Sequence, residues 1–362
     1  METSIKNIPN MQLHNQAETV RQRLNELGRA GVPFLFLADF ELKKPEILLP
    51  TEIDPLTTLF QIGRFSNLHQ AELAEVAQTG QKVRSQPLYF SINAPSFAQY
   101  QNRFDKVIDQ INYGNSYLCN LTGQTEVKTN LSLREIFFSA QARYKVWHRD
   151  EFVVFSPECF VRILGNQIST YPMKGTIQAA LPGAEATILA DRKEYAEHAT
   201  IVDLLRNDLG MVADQVQVKR FRYVERVGTH TGEELLQVSS EIVGQLSPSY
   251  RANLGDLLFR LLPAGSICGA PKPKTLSIIA EAEGGDRGWY TGVCAFFDGQ
   301  ELDSGVMIRY IEPQDATQSI SDGLHHYQFR SGGGLTHLSN VTAEYEELLA
   351  KVYLPIRPDV FH

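Results

Sequence analysis

The stretch GVCAFFDGQELDSGVMIRYI at 292–311 holds two apolar runs, Gly292–Phe297 and Gly305–Ile311. Both read as strands, and no helical pattern lies between them. Upstream, Ser116–Thr122, Phe152–Phe155, Phe160–Leu164 and Ser240–Leu246 read the same way, as does the buried run Val32–Leu37. Helical spacing marks other segments: a polar helix at 15–29, and Ser96–Asn112 with Phe97, Tyr100, Phe104, Val107, Ile108 and Ile111 on one face. The second of these ends at Gly114, a C-terminal cap. Lys193–Leu209 and Val341–Val352 complete the set, the last stopped by Pro355. Strands and helices come in mixed runs without a βαβ cadence. That predicts an α+β fold with large antiparallel sheets over a doubly wound parallel one.

At 362 residues, the length predicts about two or three domains, or one large layered domain. Hydrophobic residues at 43% and charged ones at 21% exclude a disordered or fibrous chain. A net charge of −8 without basic blocks argues against nucleic-acid binding, yet leaves room for a locally positive pocket. Cys119, Cys159, Cys268 and Cys294 are widely spaced, as expected of reduced buried thiols in a cytoplasmic protein. The N-terminus lacks signal-peptide architecture, and no stretch approaches the ~18 apolar residues of a membrane span. No membrane association is expected.

Two pairs of acids stand out. Glu194 and Glu197 share one helix face, as do Glu344 and Glu347 in the last helix. If they converge, four carboxylates suit a hard cation such as Mg²⁺; if not, they are first-turn acids that offset helix dipoles. Lys174, between Pro172 and Gly175, is a nucleophile if desolvation keeps its amine neutral, and otherwise an exposed lysine in a turn. Glu158 follows a strand and is either a general acid or a turn carboxylate. Ser331–Leu335 (SGGGL) reads as a turn whose backbone N–H groups can cradle an anion. GAPKPKT at 269–275 reads as a rigid surface turn. Arg309, inside Val306–Ile311, either pairs with an acid or binds a carboxylate bidentately. Arg206, Asn207 and Asp208, beside Leu204, Leu205 and Leu209, are either a solvated helix end, which composition favours, or a buried hydrogen-bonded network.

Taken in order, SPECF at 156–160, PMKGT at 172–176, EYAEHATIVDLLRNDLG at 194–210, GAPKPKT at 269–275, RGWYTG at 287–292, VMIRY at 306–310, SGGGL at 331–335 and EYEELLAKV at 344–352 resemble the chorismate-utilising enzymes. Each string alone is weak; the ordered set, from about Ser91 to Val352, is specific. The resemblance implies an α/β/β/α fold built on two packed antiparallel sheets. It places the chorismate-binding catalytic domain at 91–355, with a short α/β segment at 1–90 packing on it. Within the family the strings are most similar to the aminodeoxychorismate synthases, component I. That implies an enzyme turning chorismate and ammonia into 4-amino-4-deoxychorismate for para-aminobenzoate and folate, with ammonia supplied by a glutamine amidotransferase subunit.

By the same resemblance Lys174 attacks C2 and expels the C4 hydroxyl, which Glu158 protonates. Glu197 and Glu347 would ligate Mg²⁺ directly, with Glu194 and Glu344 acting through water. Gly175, Thr176, Tyr290, Arg309, Gly332, Gly333 and Gly334 match the family's chorismate contacts. Anthranilate and isochorismate synthases typically carry alanine where Lys174 stands. Water-adding relatives carry a catalytic lysine where Leu118 stands. A family histidine aligns with Gln237, although His230 lies nearby. No tryptophan-binding LLES segment is found, so feedback by tryptophan is not expected. The rival readings are anthranilate synthase component I, a catalytically silent chorismate-binding subunit, and an unrelated anion-binding α+β protein.

Overall fold

The computed structural model describes residues 8–68, 87–228, 234–314 and 323–356; His230 lies outside them. Helix α1 (Ile8–Ala30) precedes strands β1 (Phe34–Ala38), β2 (Glu46–Leu48), β3 (Thr58–Ile62), β4 (Phe65–Ser66) and β5 (Phe90–Asn93). Helix α2 (Phe97–Asn112), strand β6 (Leu118–Thr129) and helix α3 (Leu133–Ser139) follow. Next come β7 (Tyr144–His148), β8 (Phe152–Ser156), β9 (Cys159–Leu164), β10 (Gln167–Thr170) and β11 (Met173–Gln178). Helices α4 (Ala184–Ala190) and α5 (Arg192–Gly210) lead to the long strands β12 (Asp214–Gly228) and β13 (Glu234–Gln245). Helices α6 (Leu254–Leu261) and α7 (Gly265–Cys268), strand β14 (Gly269–Ala270) and helix α8 (Lys272–Glu283) come after. The chain closes with β15 (Val293–Phe297), β16 (Leu302–Val306), β17 (Tyr310–Pro313), β18 (His325–Leu335) and helix α9 (Val341–Ala350).

Local signals explain the helix ends. Ser96 caps α2 in a capping box with Gln99, Tyr100, Phe104, Val107 and Ile111 are buried along it, and Gly114 turns the chain at φ 85°. Asp191 caps α5 by accepting from the Glu194 amide, and Asn340 caps α9.

The strands form two antiparallel sheets. One runs β11-β13-β10-β9-β16-β15-β1-β2, with β12 also on β13; the other runs β14-β6-β18-β17-β8-β7-β3-β4, with β5 on β6. The N-terminal strands therefore extend both sheets, β1 pairing with β15 and β3 with β7. Strands β1, β7, β8 and β16 are buried at every position because both of their faces are covered. In β1, Leu35 and Leu37 face the inter-sheet core, while Phe34 and Phe36 join the core under the helices. In β8, Phe152 and Val154 point between the sheets, and Val153 and Phe155 pack with Ile136 and Phe137 of α3. Helix, sheet, sheet and helix are thus stacked in four layers, as the family resemblance implies.

Contacts across the two sheets are close. The Phe60 ring stacks on Phe296 with centroids 5.1 Å apart, and the Tyr144 hydroxyl donates to Asp303 at 2.9 Å. Gly305 lies under the Tyr144 ring, where a Cβ would come within 2.5 Å of Cγ.

Four local expectations need correction. Gly305–Ile311 is not one strand: β16 ends in the first sheet at Val306 and β17 begins in the second at Tyr310. SGGGL is the end of strand β18, paired with β6 from Ser331↔Gly123 to Leu335↔Cys119, and not a turn. Lys174 lies in strand β11 and not in a turn. GAPKPKT supplies β14 and the start of α8; Lys272 is largely buried, 3.1 Å from Asp208, so Asp208 is not part of a solvated helix end. The remaining segments agree with the sequence reading to within about two residues at their ends, except that α1 begins at Ile8 and not at 15, β6 runs on to Thr129 and not Thr122, and β13 begins at Glu234 and not Ser240. All four cysteines are free and buried. Among the described residues no helix is long and apolar enough to cross a membrane.

Two predictions test this packing. Gly305→Ala should lower unfolding free energy by about 1–3 kcal/mol in denaturant titration, because the Tyr144 ring cannot retreat without opening the sheets. Lys145 is buried and donates only to the Phe137 and Ala140 carbonyls, at 3.1 and 3.0 Å, closing the end of α3. Burial pulls its amine down to about 8. The unfolded chain therefore binds the extra proton between about pH 8 and the ordinary lysine range, and native stability gains as pH climbs through that window. In Lys145→Met, chemical denaturation from pH 8 to 10 should lack that gain.

Candidate active site

Strand β11 carries Lys174 to the edge of the first sheet, opposite helix α5. Its ammonium lies 2.8 Å from Glu197 Oε2, and Lys193 approaches the other oxygen at 3.6 Å. Burial pulls the Lys174 amine down, but Glu197, by charge and hydrogen bond, and Glu347 and Glu194, by charge, outweigh it and hold the amine above its ordinary value. The neutral amine that desolvation alone predicts is not the resting state. Gly175 has φ 90°, and a Cβ there would sit 2.9 Å from Glu194 Oε2, so only glycine lets this strand pass the acid. Glu194 Oε2 is buried without a hydrogen-bond partner. One turn along α5, His198 is buried and shares a 2.7 Å hydrogen bond with Ser240 of β13, fixing the helix to the sheet.

Helix α9 faces this pair from the second sheet. Glu344 is buried and accepts from Ser339 at 2.8 Å. Burial raises its carboxyl, and the negative charges of Glu347 and Glu197 add to that while Ser339 and Lys174 oppose it. Glu347 pairs with Lys351 at 2.7 Å. Burial raises the Glu347 carboxyl too, yet Lys351 and Lys174 pull harder and leave it low. Lys351 also donates to the Gly332 carbonyl at 2.7 Å, joining α9 to the glycine strand. A Cβ at Gly333 would lie 3.4 Å from Glu344 and 3.8 Å from Lys351. Leu118 starts β6 beside the same strand, 3.1 Å from where a Cβ on Gly334 would stand.

Glu158, between β8 and β9, is partly buried and accepts a short hydrogen bond from the Ser266 hydroxyl. Burial pushes its carboxyl up, against the pull of Ser266, Arg309 and Lys351. Arg309 sits at φ 55° in the crossing between the sheets, its Nε buried without a partner and its guanidinium 5.7 Å from the Tyr353 ring. Tyr290 is fully enclosed, 5.8 Å ring to ring from Tyr310. Arg287 holds its segment in place with hydrogen bonds to Glu283, at 2.9 and 2.7 Å, and to the Ile267 and Asn120 carbonyls. Thr176 is exposed on β11 opposite Gln237.

The fold thus brings Lys174, Gly175, Glu194, Glu197, Gly332, Gly333, Glu344 and Glu347 together, with Glu158 and Arg309 linked to them through Lys351. Two groups escaped the sequence reading. Lys351 was visible as the i+4 partner of Glu347 in EELLAK. Ser266 carried no signal beyond its place before GAPKPKT. Four carboxylates with one orphaned oxygen, only partly offset by two inserted ammonium groups, form a donor set that suits an oxygen-seeking divalent cation. Among the described residues no three metal-binding side chains close to ligand spacing, and Lys174 and Lys351 supply the opposing charge. If ammonium and cation share these acids, Lys174→Met should gain more thermal stability from added Mg²⁺ than the unaltered protein does. Equal shifts in melting temperature would separate the two charges.

Comparison with known proteins agrees with this geometry. Residues 58–357 match the family model described as chorismate binding enzyme. An uncharacterized PabA-like protein of Haemophilus influenzae is 48% identical over 335 residues, covering 92% of this chain and 96% of that one. A protein of the same description from Pasteurella multocida is 47% identical, covering 92% and 98%. The menaquinone-specific isochorismate synthase MenF of Escherichia coli shares the fold with a TM-score of 0.66 at 17% identity, covering 93% of this chain and 81% of that one. With the four-layer fold and an acid-rich site carrying a buried general-acid candidate already in place, a match over residues 58–357 makes the chain a member of the chorismate binding enzyme family.

Proposed function

We propose that this protein is an Mg²⁺-dependent aminodeoxychorismate synthase, component I, which converts chorismate and ammonia to 4-amino-4-deoxychorismate. The observation that carries the reading is Lys174, set on a rigid strand against the four-carboxylate cluster. Anthranilate and isochorismate synthases resemble this chain but typically have alanine there, which offers no nucleophile.

Glu197 and Glu347 would hold Mg²⁺, with Glu194 and Glu344 behind them; the bound ion would take one carboxylate of the dianionic substrate. Lys174 is kept charged mainly by Glu197, so engaging that acid elsewhere leaves burial in control and favours the neutral amine. The neutral amine attacks C2, both ring double bonds shift by one position, from C1=C2 to C1=C6 and from C5=C6 to C4=C5, and the C4–O bond breaks. Glu158, whose carboxyl burial raises, supplies the proton that makes the departing hydroxyl water. Ammonia then bonds to C4, the Lys174–C2 bond breaks, and Glu158 takes back a proton from the new amine. Arg309, whose Nε is buried without a partner, would take the second carboxylate. The backbone of Gly332–Gly334 and the Tyr290 ring bound the ring of the substrate. A separate glutamine amidotransferase subunit would supply ammonia. Leu118 cannot activate water, which disfavours isochorismate as product.

Incubation with chorismate, Mg²⁺ and ammonium should give 4-amino-4-deoxychorismate as the main product separated by chromatography; anthranilate or isochorismate would overturn the reading. Lys174→Ala should lose at least about a hundredfold in turnover. Without ammonia, a chorismate-derived adduct should map to Lys174 by peptide mass spectrometry.

A further inference from the structure

Beside Glu158 lies a narrow cavity of about 20 Å³. Its polar lining includes Glu158, Ser266, Asp208, Thr170 and Tyr171; Leu205, Leu209 and Leu261 supply much of the rest. A space of about 10–15 Å³ is enough for one water molecule, so this one holds a single molecule the size of water or ammonia. Glu158 and Ser266, both on its wall, are joined by a hydrogen bond. Asp208, also on the wall, pairs with the largely buried Lys272 at 3.1 Å, so the cavity lies between that ion pair and Glu158.

We propose that this cavity is the final binding site of ammonia before it adds to C4, and the exit for the water that Glu158 has just formed. The inference rests on the aminodeoxychorismate reading, because only that reaction replaces oxygen by nitrogen at the carbon Glu158 serves. The chemistry requires the exchange: once the C4–O bond has broken, water occupies the face that the incoming nitrogen needs. Leucine walls disfavour ammonium, which would lose its hydration, and admit the neutral base. The Ser266 hydroxyl, its own proton engaged by Glu158, and the Asp208 carboxylate offer acceptors for its N–H groups. Charged groups facing Glu158 from its surroundings are Arg309, Lys351 and, across the cavity, Asp208 with Lys272.

Filling the space without touching the reacting groups tests this. Ala264→Val and Leu205→Phe add bulk from two different walls, at residues that are 1% and 8% exposed. With ammonium chloride as nitrogen donor, the KM for free ammonia should rise about tenfold in each folded variant. The KM for chorismate and the yield of Lys174 adduct without ammonia should stay within about twofold of the parent. A KM for ammonia unchanged in both variants, with normal melting curves, would overturn the site. So would an equal loss in adduct formation, which marks a general disturbance. Should one variant fail to fold, the other carries the test. If the unaltered protein makes no 4-amino product from ammonium, the functional reading fails and this site with it; an intact parent reaction with indifferent filled variants removes the cavity alone.

Discussion

Between Val306 and Tyr310 the chain leaves one sheet and joins the other, and this crossing is the constraint on which the site depends. Met307 exchanges backbone hydrogen bonds with Thr291 and Gly292, both at 2.8 Å, so the crossing is clamped to the segment that carries Tyr290. Arg309 takes up φ 55°, a conformation that costs a non-glycine residue about 1 kcal/mol or more and persists only where surroundings enforce it. Its carbonyl accepts from Phe155 at 3.1 Å, which ties the crossing to the strand leading into Glu158. One short segment thereby sets the spacing of the sheets, the place of the guanidinium and the approach to the acid.

The second constraint is charge. Glu194, Glu197, Glu344 and Glu347 are brought within mutual electrostatic range by two helices from different layers, and such an assembly is unfavourable by itself. Lys174 and Lys351 offset it from two directions: one from strand β11, the other from the end of helix α9 with a second anchor on the Gly332 carbonyl. The raised Glu194 and Glu344 carboxyls and the unpartnered Glu194 oxygen show that compensation is incomplete. An incomplete balance is a useful state for a binding site, since a further positive charge gains more there than two lysines have already taken up.

Much of this was legible in the sequence, and the failures have physical causes. Lys193–Leu209 and Val341–Val352 carry strong period and caps, so both helices and their paired acids could be placed. SGGGL looked like a turn because three glycines weaken any strand; pairing with β6 over the whole length of the segment overrides that preference. Val306–Ile311 looked like one strand because periodicity cannot see which sheet a residue joins. Lys174 was singled out correctly, but its charge state was not readable, because the acids that set it come from residues 194, 197 and 347. Ser266 escaped for the same reason: its role exists only when distant segments meet.

Arg287 shows why the RGWYTG string is so specific. Its guanidinium is 1% exposed and meets Glu283 bidentately, two backbone carbonyls, and the Phe40 ring at 4.6 Å. A buried ion pair adds little net stability, because desolvation cancels most of the attraction, whereas losing one partner costs about 3–5 kcal/mol. What the pair does here is geometric. Glu283 also accepts from the Thr122 amide at 2.9 Å, and Glu41 accepts from the Arg287 and Gly288 amides. The segment before Tyr290 is therefore fixed at once to β6, to α8 and to the loop after β1. A hydrophobic replacement could fill the volume but could not hold three elements in register. The Tyr290 ring and the Met307 crossing beside it inherit their positions from that network, so Arg287 belongs to the site's geometry although it lies outside the reacting groups.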